Sequence, residues 1–316
     1  MRPSYLALHD QGELVRRSEQ ALASLSNCRM CPRECGVDRT VSGDGFCKTG
    51  RYAHLASYNL HFGEESPLVG GKGSGTIFFA GCNLGCLFCQ NHDISNSTTG
   101  FPTLDADGIS TIMLELQSQG ALNINLVTPS HVTAQILEAL PLAVDKGLNI
   151  PIVYNSSGYD TVKSIRLLCD VVDIYMPDIK FADSDTAYEL ARASTYPSHA
   201  RKAILEMHHQ VGDLALDNQG IAQRGLLVRH LLMPNGLAGT ESWMRFLSQE
   251  ISTDTYLNIM DQYRPCYRAH DLDAISRSIS KQEYEKALAI AQEHGLTRLD
   301  DRQARITLAL HRLIGP

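Results

Sequence analysis

From residue 76 onward the chain alternates short runs of β-branched and apolar residues with longer stretches whose apolar positions recur at helical spacing. The two periods separate strands from helices, because side chains alternate across a strand and return to one helix face every three or four residues. Strands are predicted over residues 76–80, 123–127, 151–155, 173–178, 226–232 and 255–260. Helices are predicted over residues 105–119, 130–146, 161–168, 184–193, 198–209 and 241–251. Six strands separated by helices predict a parallel sheet, and right-handed crossovers curl it into an open α/β barrel. Ahead of it, residues 5–25 read as a surface helix leading into a cysteine-rich segment, and the glycine-rich residues 66–75 read as a linker. Behind it, residues 280–294 and 301–313 read as helices packed on the outside. The expected division is an N-terminal helix and cysteine module (1–70), a barrel (71–267) and a C-terminal helical extension (268–316).

At 316 residues and 43% hydrophobic composition the chain can bury a substantial core. No apolar stretch approaches membrane-spanning length, and a polar, charged opening takes the place of a leader. With an odd number of cysteines, nine, the expectation is a cytoplasmic protein with reduced thiols. A formal charge of −7 argues against a broad phosphate-binding surface, so neither nucleic acid nor membrane is an expected partner.

Cysteine spacing changes the picture most. Cys82, Cys86 and Cys89 follow the first barrel strand as CxxxCxxC. An iron-sulfur cube takes one ligand per iron, so three thiolates on one loop leave one iron open to another ligand. Gly81, Asn83 and Gly85 suit a tight wrap around such a group. The alternative is structural zinc, with His92 closing a Cys3His tetrahedron. Cys28, Cys31, Cys35 and Cys47 form a second set, a full complement of four ligands compatible with zinc, a second iron-sulfur cluster or paired thiols. The glycines around Lys72 lack the phosphate-loop spacing and precede a strand, so no phosphate cradle is expected there.

In a parallel barrel the chemistry sits at the C-terminal strand ends. A period of two places Ile174, Met176, Asp178 and Lys180 on one face, with the charged pair at the mouth, either as a cofactor contact or as a strand-end salt bridge. Thr128 and Pro129 read as a helix start, threonine capping and proline preorganised, with Ser130 and His131 near an anion site at its N-terminus. Asn155 and Ser157 end the third strand with groups suited to ribose or amino acid moieties. Arg229 shares a face with Leu227 and Leu231 and would enter an apolar interior, where it needs an anion.

The CxxxCxxC loop with Phe88 before its last cysteine resembles the radical SAM superfamily. Asp178 and Lys180 look like the DxK signature of glycyl-radical-enzyme activating enzymes, and residues 228–236 look like a later strand of theirs. Cys28, Cys31, Cys35 and Cys47, with Arg39 and Gly45, resemble the pyruvate formate-lyase activating enzyme-like branch with cysteines ahead of the loop. The resemblance spans residues 28–267 and implies an open partial (β/α)6 barrel holding a 4Fe-4S cluster at Cys82, Cys86 and Cys89. It further implies S-adenosylmethionine contacts at Thr128, Ser130, Asn155, Ser157, Asp178, Lys180 and Arg229. The implied activity is reductive cleavage of S-adenosylmethionine to a 5'-deoxyadenosyl radical that activates a glycyl radical enzyme, fed by a flavodoxin or ferredoxin-type electron donor. The alternatives are a radical SAM catalyst acting on a peptide or small molecule, and a non-enzymatic zinc- or cluster-binding interaction module. Two departures stand out: residues 126–131 replace the glycine-glycine-glutamate stretch that holds the cofactor's amino group in better-known members, and residues 91–103 carry no cysteine-rich insert.

Overall fold

The computed structural model describes residues 2–300, so the helix expected over 301–313 lies outside the described residues. Nine strands form one sheet: β1 (Ala53–His61), β2 (Ser74–Phe79), β3 (Thr103–Leu104), β4 (Ile124–Val127), β5 (Ile152–Ser156), β6 (Ile174–Ile179), β7 (Ala215–Leu216), β8 (Ala222–Leu231) and β9 (Tyr256–Met260). β2, β4, β5, β6, β8 and β9 pair in that order and all in parallel, so the protein is α/β with a mostly parallel open sheet. Each crossover carries helix, in order Ala106–Ser118, Thr133–Asp145, Val162–Leu167, the pair Ser184–Ala191 and Tyr196–Val211, and Thr240–Phe246. The six expected strands are therefore the six parallel ones. β1, β3 and β7 add antiparallel edges that the apolar pattern did not announce.

The strand alternation sorts two cores. Val153, Ile174, Met176, Leu227 and Tyr256 share an inner cluster with Leu68. Their neighbours Ile152, Tyr154, Tyr175, Leu226 and Val228 belong to the larger cluster shared with the helices. The crossover helices start where the sequence supplies a cap: Asp105 accepts from Gly108 N–H at 2.9 Å and Asp183 from Thr186 N–H at 2.8 Å.

Three expectations need correction. Residues 5–25 form two helices rather than one, Tyr5–Asp10 and Glu13–Ala23, broken at Gly12 with φ 71°; they lie at the surface and bury one face through Tyr5, Leu8, Leu14 and Ala21. Residues 66–75 are no linker. They hold the short helix Ser66–Val69, whose Leu68 is fully buried in the inner core, and the start of β2. Thr128 does not cap a helix: it sits at φ 56° without a side-chain cap bond, and after a 3-10 turn at Pro129–His131 the helix begins only at Thr133. No described helix is long and apolar enough to cross a membrane.

Candidate functional site

The C-terminal ends of the parallel strands carry the chemistry-bearing side chains. Two residues past β2 the chain turns through Gly81 at φ 85° and Gly85 at φ 68°, conformations an L side chain adopts only with strain. This loop is pinned on several sides, by Gly81 N–H to Ile94 O (2.8 Å), Leu87 N–H to Leu190 O (2.8 Å) and Arg268 N–H to Leu87 O (3.0 Å). Leu84 N–H donates to Cys82 Sγ and the Ser95 hydroxyl to Cys89 Sγ, each at 3.3 Å. Such donors stabilise charge on sulfur.

Burial pushes the Cys86 thiol up, with Lys180 acting in the opposite sense and Cys89, Cys82 and Asp178 adding to the rise. Burial likewise raises Cys82, against backbone donors and Lys180. The three thiols thus lie within electrostatic reach of one another and of the β6 end. There, Lys180 Nζ stands 2.8 Å from Asp178 Oδ2. Burial alone would lower the ammonium, but Asp178 and then Cys86 outweigh it and hold Lys180 above its usual value. The other oxygen, Asp178 Oδ1, is buried without a hydrogen-bond partner among the described residues, as is Ser157 Oγ. Asn155 lies on the same inner face, opposite Met176. Tyr196, which the sequence did not single out, ties these ends together: its hydroxyl lies 2.8 Å from the carbonyls of Ser157 and Asp178 and accepts Lys180 N–H at 3.0 Å.

Arg229 enters the interior as alternation predicts, and its anions come from the chain itself. Its Nε and Nη2 grip Glu65 at 2.7 and 2.6 Å, Nη2 also meets Glu64, and Asn258 Nδ2 donates to Glu65 at 2.7 Å. Both carboxylates are buried, and His61 Nδ1 lies 3.2 Å from Glu64. Burial would raise the Glu64 carboxyl, but Arg229 and His61 overcome it and pull it down to about 2. Three residues further on, the Leu68 carbonyl accepts Asn123 Nδ2 at 2.8 Å, so residues 64–69 cross the concave face from β8 and β9 to the root of β4.

The second cysteine set lies behind the loop. Cys28, Cys31, Cys35 and Cys47 line one small cavity together with Arg39, Ser130 and His131. Burial pushes the Cys31 thiol up to about 12, with the other three cysteines adding to the rise. Ser130 also lines this cavity, and its side chain is within hydrogen-bond reach of Tyr154 and Asp160. His131 Nε2 donates to Ala80 O at 2.9 Å, and burial holds its imidazole down to about 4. Thr128 stays at the strand ends, its N–H on Asn155 O at 2.9 Å. His92 pairs with Asp93 at 3.0 Å and stacks on Tyr267 with ring centroids 5.1 Å apart. Among the described residues no three Cys, His, Asp or Glu side chains converge on one metal position. By donor chemistry, the three-thiol loop with its N–H and O–H donors to sulfur fits a soft metal or cluster, and the orphaned Asp178 and Ser157 oxygens beside it fit a polar ligand.

Fold and site define an α/β protein whose parallel sheet bears a three-thiol loop at its C-terminal edge, backed by a four-thiol lobe. Over 287 residues it is 33% identical to an uncharacterized protein of the archaeon Methanocaldococcus jannaschii, covering 87% of this chain and 77% of that protein, and the chain belongs to the same family. No protein-family model matches it.

Proposed function

We propose that the chain is a radical SAM enzyme of the open partial-barrel type, with Cys82, Cys86 and Cys89 holding a 4Fe-4S cluster. The carrying observation is that three thiols of one pinned loop lie within electrostatic reach of the Asp178–Lys180 pair at the C-terminal end of a parallel strand. When bound, the cluster and S-adenosylmethionine supply reductive cleavage of the sulfonium and a carbon radical that takes a hydrogen atom. Asn155, Ser157, Asp178 and Lys180 offer hydrogen bonds and both charges to the polar groups of that cofactor, and Thr128 stands beside Asn155. Arg229 is saturated by Glu65 and Glu64, which assigns it to bracing the interior rather than to seizing an external carboxylate.

The substrate class favoured by the DxK-like pair is a glycyl radical enzyme, with a flavodoxin or ferredoxin-type carrier as electron source. A peptide or small-molecule substrate is the second reading, favoured by residues 64–69, which fill the concave face and leave only the strand ends for a substrate. A zinc-bearing interaction module fares less well, since His92 is turned to Asp93 and Tyr267.

Anaerobic reconstitution tests the proposal. Wild type should bind iron and sulfide, change its electron paramagnetic resonance spectrum on adding S-adenosylmethionine and cleave it when reduced. Cys86→Ala should lose cleavage to background. A wild type that takes up zinc and no iron under strict anaerobiosis ends the reading. Addition of candidate glycyl radical enzymes, peptides and metabolites to the reduced enzyme then separates the substrate classes.

A further inference from the structure

The four-cysteine cavity holds a charge that its protein walls do not balance. Arg39 is 2% exposed, and a guanidinium stays protonated wherever it is buried. No carboxylate pairs with it among the described residues. Its Nη2 donates to Gly50 O at 3.1 Å, its Nη1 reaches Cys28 Sγ at 3.8 Å, and its Nε has no partner. Neutral thiols would leave the buried cation uncompensated, which is unfavourable. Four thiolates around a divalent ion, or around an iron-sulfur cube, carry a net charge of about −2 and supply the missing anion.

The backbone is folded for such a task. Cys28 N–H donates to Val37 O and Gly36 N–H returns to Cys28 O, both at 2.9 Å, closing the first three cysteines into a tight turn. Phe46 N–H donates to Cys35 Sγ at 3.4 Å. We infer that Cys28, Cys31, Cys35 and Cys47 ligate a soft metal centre, zinc or iron-sulfur, whose negative charge is neutralised by buried Arg39. The centre is separate from the three-thiol loop and does not depend on the activity proposed above. Because the four thiols frame the cavity without converging on one point, ligation includes an inward movement of the lobe.

The test removes the loop and asks what metal remains. A Cys82→Ser, Cys86→Ser, Cys89→Ser variant, produced anaerobically with zinc or with iron and sulfide, should retain about one zinc, or about four irons and four sulfides, per chain. Adding Cys31→Ser and Cys35→Ser should cut that content at least tenfold. Arg39→Met should lower it while Arg39→Lys keeps it. Should the added Cys31→Ser and Cys35→Ser changes prevent folding, stripping the metal from the loop variant with a chelator reads the same site, and four thiols should become newly reactive. A loop variant that binds neither metal, or whose four lobe thiols react fully before stripping, overturns the inference.

Discussion

The four-thiol lobe and the three-thiol loop share a wall. The Cys47 carbonyl packs where a side chain on Gly81 would stand, and Arg33, two residues after Cys31, donates to Asn83 O at 2.9 Å and Leu84 O at 2.7 Å. Each region also contains a buried arginine, and the two arginines are in opposite situations. Arg229 beneath the mouth is paired with two carboxylates, whereas Arg39 beside the lobe has none among the described residues. A cation already matched by its own protein has little left for a ligand; an unmatched one marks where an anion belongs. The lobe sets four thiols around one small cavity, with Cys35 exposed at its edge, while the loop carries three thiols beside orphaned oxygens. Under the two proposals, the lobe would hold a centre and the loop would present one.

The comparison breaks most easily at the arginines. Arg229→Met leaves Glu64 and Glu65 buried without their cation and should destabilise the fold by about 3–5 kcal/mol in urea unfolding at neutral pH. Arg39→Met in metal-free protein removes an uncompensated cation, so its cost there should be far smaller. Equal costs in metal-free protein would show that Arg39 is paired as well as Arg229 and would erase the distinction.

Acid sharpens the same point. Glu64 ionises near about 2 in the folded protein, below an ordinary carboxyl at 4.5. A lowered folded value means stability that is fully present above pH 4.5 and is lost as the pH falls toward about 2. The contribution is on the order of 3 kcal/mol. Unfolding free energies of wild type and Glu64→Gln should therefore differ most at neutral pH and draw together as the pH approaches 3. A gap that stays constant with pH would show that Glu64 does not owe its ionisation to Arg229.

Much of this architecture is legible from local pattern. The six parallel strands and the inner face of β6 follow from alternation, because burial on a sheet face is a period-two property of neighbouring residues. The partners of Arg229 were not legible. Glu64 and Glu65 lie 165 and 164 positions away in a short polar stretch that reads as loop, and the only signal was the requirement that a buried arginine find an anion. The same long-range packing defeated the linker reading of residues 66–75, where Leu68 is buried by strands that come much later in the chain. Thr128 failed for a local reason: its residue type suits a cap, but φ 56° turns the backbone away from helix entry. The cavity formed by the four-cysteine set is a tertiary property, whereas the close spacing of its members was visible from the start.

The smallest effects concern the shared wall. Gly81 and Gly85 both sit at positive φ, so alanine at either should cost about 1–2 kcal/mol of backbone strain. Their surroundings then separate them. A Cβ on Gly81 would stand 2.5 Å from the Cys47 carbonyl oxygen, a backbone atom that can move only if the lobe shifts against the loop. A Cβ on Gly85 would stand 2.9 Å from the Phe46 ring, a side chain 43% exposed and stacked on the Arg33 guanidinium at 3.7 Å, so it yields more easily than backbone. Gly85→Ala should therefore cost little beyond the strain and leave the metal content of both centres unchanged. Gly81→Ala should cost more and reduce metal retention at the lobe as well as at the loop. Thermal unfolding and metal analysis of the two variants side by side check this; equal losses from both would mean that the wall between lobe and loop is soft and that the two cysteine sets are not mechanically joined through Gly81.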